Sequence, residues 1–234
     1  RSGEKPTHLI GTTTVIETEL DIFFIKIDDY MLDVVQEYVD LCQMLPGDHY
    51  VETRVDLSEY FPIPGQGGTA DFATYSQTRK LLRVIDFKHG AGVYVSADDN
   101  KQLKTYALGV LLVVSAPVDV VEVYIVQPRY EGVEPVRMET FPAFDLIEFA
   151  GQLADAAKAT RSPNARLRPG AWCAKTFCPN AWACPALEQM SHALIKQEFQ
   201  AVEAYDATKL AQALASCSLV EERISAIKAF AYER

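Results

Sequence analysis

The stretch of sequence that decides the fold is GTADFATYSQTRKLLRVIDFK, which spans residues 68–88. It contains two runs, 69–75 and 81–88, that are rich in the β-branched and aromatic residues found in strands. The polar residues 76–80 join the two runs, and a five-residue connection of this kind predicts a β-hairpin. This hairpin is the centre from which the rest of the fold is inferred.

Three ionisable residues of the hairpin are candidates for chemistry: Asp71, Asp86 and Lys88. Because side chains alternate along a strand, Asp86 and Lys88 point to the same face, beside Asp71 of the neighbouring strand. Asp86 stands within VIDF, where an isolated carboxylate is costly to bury without a partner or a metal. Two carboxylates and a backbone carbonyl make a hard oxygen site suited to Mg²⁺ or Mn²⁺. With an adjacent ammonium, this is the arrangement that phosphodiester hydrolysis needs.

A purely structural interpretation also accounts for these three residues. Asp71 would then be a turn residue, and Asp86 with Lys88 a surface ion pair on an edge strand. Gln102 and Tyr106 favour the chemical interpretation, because their i, i+4 spacing places them on one face of the helix predicted after the hairpin. A glutamine amide can hold a phosphate or a water, and a tyrosine can stack or donate a hydrogen bond. Both could equally be ordinary residues of a helix surface.

Hydrophobic periodicity outside the hairpin predicts alternating helices and strands. The predicted helices cover residues 28–45, 100–113, 142–160 and 185–234. The predicted strands cover residues 50–56 and 118–126, the second apolar enough to be covered on both faces. Capping boxes are predicted at Ser96 with Asp99 and at Ser218 with Glu221. This order predicts an α/β core at 1–160 and a Cys-bearing helical extension at 161–234, packed on the core.

Composition and charge limit the class of protein. The 234 residues are 23% charged and 49% hydrophobic, which is typical of a globular protein and not of a disordered one. No signal peptide is visible, and the longest nearly apolar run, 107–118, is too short to span a membrane, so we expect a soluble, cytoplasmic protein. The net charge of −10 argues against a nucleic-acid partner, although residues 156–187 contain no acid and allow a local cationic surface.

The motifs GTAD, DFK and QLKTY, in this order and at these spacings, resemble the PD-(D/E)xK nuclease superfamily. The resemblance is to its RecB-like branch, which includes CRISPR-adaptation nucleases and lambda-type exonucleases. It is closest to an uncharacterised phage-encoded RecB-like group, through VETRVDLS, YIVQPR, FCPNAWACPAL and the closing AFAYER. The resemblance covers roughly residues 30–234. It implies a restriction-endonuclease-like mixed sheet flanked by helices, as the nuclease core of the chain.

The resemblance also implies roles for individual residues. Asp71, Asp86 and the carbonyl of Phe87 would bind Mg²⁺ or Mn²⁺, and Lys88 would join the two acids as a catalytic residue. Gln102 and Tyr106 would match the substrate-binding helix of the family, and Glu52 an acid that precedes the core and supports the site. The family's upstream Gly-x-x-x-His motif is not visible, and His8 stands in a different context, so no metal-binding histidine is assigned.

Three of the five cysteines are close in sequence: Cys173, Cys178 and Cys184. An odd number of cysteines without an export signal argues against a disulfide framework. Relatives in the superfamily hold a 4Fe–4S cluster with three downstream cysteines in a C-x2-C-x5-C spacing, of which only the second interval matches here. A fourth thiolate would come from Cys42 or Cys217, although both are also explained as buried structural cysteines. Zinc, with His192 as a fourth ligand, is the less favoured alternative.

The expected function is therefore that of a metal-dependent DNA nuclease, an exonuclease acting in phage DNA recombination or processing. Its expected partners are DNA and phage recombination or replication proteins, in the cytoplasm of a bacterial host. The alternative is a catalytically weakened nuclease-fold module that binds DNA or takes part in assembly. A metal-stapled scaffold with no nucleic-acid role is a third interpretation, and it predicts no salt-dependent affinity for DNA.

Overall fold

The computed structural model describes residues 6–17, 22–61, 65–170, 172–175, 178–195 and 206–232. The chain forms two compact units, Arg1–Ser162 and Pro163–Arg234. The first unit contains the predicted hairpin, and the second contains the cysteine-rich segment. The predicted packing of the extension on the core stays a prediction.

Among the described residues of the first unit, seven strands form two sheets. A separate antiparallel pair consists of β1 (Thr13–Glu17) and β2 (Ile22–Lys26). The central sheet has the spatial order β3 (Asp48–Asp56), β4 (Gly67–Ser76), β5 (Leu81–Phe87), β6 (Val120–Val126) and β7 (Val136–Pro142). Within it β5 and β6 run parallel and the other neighbours run antiparallel, so the sheet is mixed.

The predicted hairpin is confirmed as the centre of this sheet. β4 and β5 pair antiparallel, from Phe72 opposite Ile85 to Ser76 opposite Leu81. β7 and the β1–β2 pair are absent from the sequence prediction. β7 was not predicted because this edge strand is largely exposed. The polar residues of VRMETFP do not give the apolar pattern of a buried strand.

Helices cover both faces of the central sheet: α1 (Asp29–Met44), α2 (Lys101–Val114) and α3 (Phe144–Thr160). A short 3-10 helix, Thr7–Leu9, precedes β1. On one face α2 packs against β3, β4, β5 and β6, and buries Leu103 and Val110 in the main core. On the other face Cys42 of α1 is buried with Ile85 and Val126. The predicted α/β class is confirmed. One face of β6 is buried at Val121, Val123 and Ile125, whereas the other face is buried only at Val126, so the expected cover on both faces is incomplete.

The second unit is helical. It contains α4 (Trp172–Lys175), a 3-10 helix (Ala181–Ala183), α5 (Pro185–Ile195) and α6 (Ala207–Tyr232). Ala181 and Leu187 are buried together, with Cys184 packed against them. Arg223 of α6 donates to the carbonyl of Ala181 at 2.8 Å and to that of Trp182. The predicted helical, cysteine-containing C-terminal region is thus confirmed, while residues 196–205 and 233–234 of the predicted helix lie outside the described residues.

Both predicted capping boxes are wrong. The N-cap of α2 is Asn100, whose side-chain oxygen accepts from the backbone N–H groups of Gln102 and Leu103. Ser96 accepts instead from the backbone N–H of Asp98, because asparagine caps as well as serine and Asn100 adjoins the helix. The predicted box at Ser218 and Glu221 fails because α6 is already helical from Ala207 onward.

No helix among the described residues is both long enough and apolar enough to span a membrane.

The close approach of α2 to β3 at Gly109 gives a testable consequence. A Cβ at position 109 would lie 2.4 Å from the Cβ of Val55. We expect Gly109→Ala to lower the free energy of unfolding by about 1 to 2 kcal/mol, because the clash exceeds the gain in helix propensity. The measurement is equilibrium unfolding in urea, followed by circular dichroism.

Gly151→Ala in α3 is the matched control. A Cβ at position 151 would meet no atom within 4 Å, so the same change there should stabilise the protein by up to about 1 kcal/mol. If both substitutions were stabilising, the α2–β3 contact would be refuted.

Candidate active site

Asp71 and Asp86 stand side by side on neighbouring strands. The β4–β5 ladder ends with Phe72 opposite Ile85, so Asp71 and Asp86 are the next two residues in the same register. The side chain of Asp71 continues the pairing, because its Oδ2 accepts a hydrogen bond of 2.8 Å from the backbone N–H of Phe87. The structure therefore brings the two predicted metal-binding acids and Phe87 together.

Asp86 is a buried carboxylate with one neighbouring cation. Its residue is 3% exposed, and its Oδ2 lies 2.8 Å from Nζ of Lys88. Burial raises the pKa of Asp86 above its ordinary value and the charge of Asp71 adds to this rise, whereas the ammonium of Lys88 opposes it. The burial of Asp86 and the central place of β5 in the sheet contradict the alternative of a surface ion pair on an edge strand.

A chain of polar contacts extends from Lys88 to α2. Nζ of Lys88 donates to Oε1 of Gln102 at 3.1 Å, and Nε2 of Gln102 donates to the hydroxyl of Tyr106 at 3.2 Å. The ring of Tyr106 lies against Gly68, where an added Cβ would come within 2.9 Å of Cε1. The residues predicted from i, i+4 spacing thus meet the hairpin residues in one site.

The donor set fits a hard divalent cation. Asp86 Oδ2 is buried, and the ammonium of Lys88 at 2.8 Å is its close partner among the described residues. A buried carboxylate oxygen of this kind is costly unless a further partner completes it. Oxygen donors from Asp71, Asp86 and the Phe87 carbonyl are those that Mg²⁺ and Mn²⁺ prefer.

Glu52 lies in β3 next to this site in the strand register. The pairs Val51–Phe72 and Thr53–Ala70 flank it, which places Glu52 opposite Asp71. Its backbone φ is +46°, an unusual conformation for a residue other than glycine. Its side chain is exposed. The predicted supporting role of Glu52 stays a prediction.

Sequence reasoning missed Gln127, which contacts the loop after β5. Gln127 is 1% exposed. Its Nε2 donates to the carbonyls of Gly90 and Val93 at 2.9 and 2.8 Å, and its Oε1 accepts from Arg137 at 2.7 Å. The loop that leads from Lys88 to α2 is therefore held in place by hydrogen bonds to the buried amide of Gln127. The only sequence signal was a glutamine directly after the apolar strand in YIVQPR.

Within the described parts of the chain, no three His, Cys, Asp or Glu side chains are grouped so that they could hold a metal ion. The described residues include Cys173 and Cys184, which are half-buried, and Cys178, which is exposed. Cys42, in the other unit, is buried, and burial raises the pKa of its thiol to about 11. The structure thus does not bring the candidate cluster ligands together, and the iron–sulfur and zinc interpretations stay predictions.

The sequence matches the family described as Protein of unknown function (DUF2800) over residues 5–234. No solved structure matches the chain.

The buried charge of Asp86 predicts that Asp86→Asn stabilises the protein at neutral pH, by about 1 kcal/mol. A raised pKa means that the folded state holds the proton of Asp86 more tightly than the unfolded state does. The ionised carboxylate therefore costs stability above this raised pKa, and the cost disappears as the pH falls below the unfolded value. Urea unfolding of both proteins between neutral pH and about pH 4 tests this.

Asp119→Asn is the control for this substitution. The Asp119 side chain is 64% exposed and pairs with Lys80 at 3.4 Å, so its change should stay within about 0.5 kcal/mol at every pH. An Asp86→Asn variant that is less stable than the wild type at neutral pH would show that the carboxylate is satisfied by its surroundings.

Proposed function

We propose that this chain, which belongs to the DUF2800 family, is a metal-dependent DNA nuclease that hydrolyses phosphodiester bonds at Asp71, Asp86 and Lys88. The observation that carries the proposal is the contact chain that joins a buried carboxylate to a lysine, a glutamine and a tyrosine. The resemblance of GTAD, DFK and QLKTY to PD-(D/E)xK nucleases supports the same conclusion. A structural ion pair would not require the further polar residues of α2.

The proposed metal ligands are Asp71, Asp86 and the carbonyl of Phe87. A bound Mg²⁺ or Mn²⁺ would polarise the phosphate and lower the pKa of a bound water. The two carboxylates would supply the negative charge that such a cation needs, and the hydrogen bond from the Phe87 N–H to Asp71 holds the Asp71 side chain at the end of β5. A cation bound here would add a second positive charge beside the buried Asp86 carboxylate, which has Lys88 as its neighbouring cation.

Lys88 and Gln102 would act on the substrate. In hydrolysis the water oxygen bonds to phosphorus while a sugar oxygen leaves and takes up a proton. The side chain of Lys88 is 27% exposed, so its ammonium could contact a phosphate oxygen or the attacking water while it stays beside Asp86. Gln102 accepts from this ammonium and is exposed, which directs Lys88 and leaves the amide available to a phosphate.

Exonuclease action in phage DNA recombination or processing is the biological role that we propose, with phage recombination or replication proteins as partners in the bacterial cytoplasm. This part rests on the resemblance to RecB-like proteins.

A catalytically weakened DNA-binding or assembly module is the second candidate. The observation that favours it is the lack of a third acidic, histidine or cysteine side chain grouped with the two carboxylates in the described part of the chain. Such a module would keep affinity for metal and DNA without turnover.

Metal binding at this site predicts a selective stabilisation. At a Mn²⁺ concentration about 100 times the dissociation constant, the wild type should gain about 3 kcal/mol in unfolding free energy. Asp86→Asn should lose this gain, and Asp119→Asn should keep it because its carboxylate is remote from the site and exposed. Thermal unfolding with and without Mn²⁺ measures the effect, and equal shifts in all three proteins would place the metal elsewhere.

Catalysis is tested with Lys88→Ala. The wild type should degrade linear DNA with Mg²⁺ or Mn²⁺ and not with EDTA, and Lys88→Ala should lower the rate at least 100-fold. Lys80→Ala is the control, because Lys80 lies at the other end of β5 and its side chain is 52% exposed. Circular DNA tells an exonuclease from an endonuclease.

The outcomes separate the two candidates. DNA binding without cleavage by the folded, metal-loaded wild type would favour the weakened module. Equal cleavage by wild type and Lys88→Ala would contradict the assignment of the site.

A further inference from the structure

Two arginine–tyrosine contacts lie beside the proposed site. The guanidinium carbon of Arg129 is 5.6 Å from the centre of the Tyr30 ring, and that of Arg137 is 4.9 Å from the centre of the Tyr94 ring. The ring of Tyr130 lies 5.6 Å from that of Tyr94. These five residues are named the tyrosine surface here, and neither the proposed metal site nor the contact chain to α2 uses them.

The tyrosine surface surrounds the carboxyl ends of the two parallel strands. Arg129 and Tyr130 belong to the turn after β6, and Tyr94 belongs to the loop that follows Lys88 after β5. Tyr30 lies in the first turn of α1. The carboxyl ends of parallel strands are where α/β sheets bind ligands, so a bound molecule here would approach Lys88.

The surface is held in a fixed arrangement. Arg137 donates through Nε to the carbonyl of Val95 at 3.0 Å and through Nη2 to Oε1 of Gln127 at 2.7 Å. Gln127 binds the carbonyl of Val93, the residue before Tyr94. The backbone on both sides of Tyr94 and the guanidinium beside its ring are therefore held by hydrogen bonds, which lowers the entropic cost of binding a ligand there.

The two tyrosines that contact the arginines are nevertheless open to solvent. Tyr30 is 53% exposed and Tyr94 is 45% exposed. Partly exposed aromatic side chains with guanidinium groups beside them provide stacking faces and nearby positive charge. Nucleobases stack on such rings without regard to sequence, while arginine contacts the phosphates of the same strand.

Stacking also reconciles the site with the acidic chain. The net charge is −10, and Asp28 lies near this region as the N-cap of α1, where it accepts from the backbone N–H of Met31 at 2.8 Å. A surface that depended on phosphate contacts alone would need a basic patch. Single-stranded DNA offers the faces of unpaired bases for stacking as well as its phosphate charge, whereas the base faces of duplex DNA are stacked inside the helix.

We propose that the tyrosine surface binds single-stranded DNA and leads the strand to Lys88. The role of leading the strand to Lys88 rests on the proposed nuclease function. The binding of single-stranded DNA itself does not require cleavage. It adds a substrate class, DNA with a single-stranded end or region, to the proposed activity.

The test measures affinity apart from catalysis. Fluorescence anisotropy of a labelled oligothymidylate is recorded in EDTA, where no metal-dependent cleavage occurs. Tyr30→Ala and Tyr94→Ala should each weaken binding about tenfold, because each removes one stacking face. Tyr30→Phe and Tyr94→Phe should bind within about twofold of the wild type, because stacking needs the ring and not the hydroxyl.

Two further variants complete the experiment. Phe144→Ala, at a 71% exposed aromatic residue at the start of α3, is the control and should leave the affinity unchanged. Arg129→Gln should reduce the slope of log affinity against log salt concentration by about one, as expected for one lost phosphate contact. Circular dichroism verifies that each variant is folded.

The results distinguish this inference from the proposed function. Wild-type affinity in both tyrosine-to-alanine variants, or no binding of the oligonucleotide by the wild type, would overturn the inference even if the protein cleaves DNA. Tighter binding of an oligouridylate would assign the surface to RNA and overturn it as well. A tenfold loss in the variants of a protein that cleaves no DNA would support the surface and refute the nuclease.

Discussion

The burial of the Asp86 carboxylate is the constraint on which the rest of the site depends. β5 is the central strand of the sheet, and Asp86, near its carboxyl end, is 3% exposed. Its carboxylate is therefore almost completely shielded from bulk water. Its charge must therefore be balanced locally, and Lys88 Nζ, 2.8 Å from Oδ2, supplies the neighbouring positive charge. Burying an ionised carboxylate costs free energy, and such costly groups are found more often at functional sites than in strands with a structural role alone.

The position of α2 beside the site depends on close packing of this helix against the sheet. Small residues permit its close approach to the sheet: Gly109 lies against Val55, and Gly68 lies against the ring of Tyr106. This packing brings Gln102 within 3.1 Å of Lys88 without any long loop reaching across the site. The hairpin thus supplies the charges, and the helix supplies the polar groups that orient them.

Local periodicity was enough to predict the hairpin, the shared face of Asp86 and Lys88, and the α2 pair, because alternation along a strand and i, i+4 spacing act over a few residues. Contacts that depend on distant segments were not predictable in this way. The roles of Gln127 and Arg129 depend on which loops meet at the end of β6. The cap of α2 was misplaced because serine and asparagine give equivalent N-cap signals, and the structure shows that Asn100 caps the helix instead of being its first residue.

The central claim is that Asp71, Asp86 and the carbonyl of Phe87 hold a divalent cation at the end of β5. The most direct measurement is a crystal structure of the protein grown with Mn²⁺, with anomalous scattering data collected at the manganese edge. The account predicts an anomalous peak at about 2.0–2.4 Å from oxygen atoms of both carboxylates. A peak located elsewhere, or no peak at a Mn²⁺ concentration well above that of the protein, would contradict it.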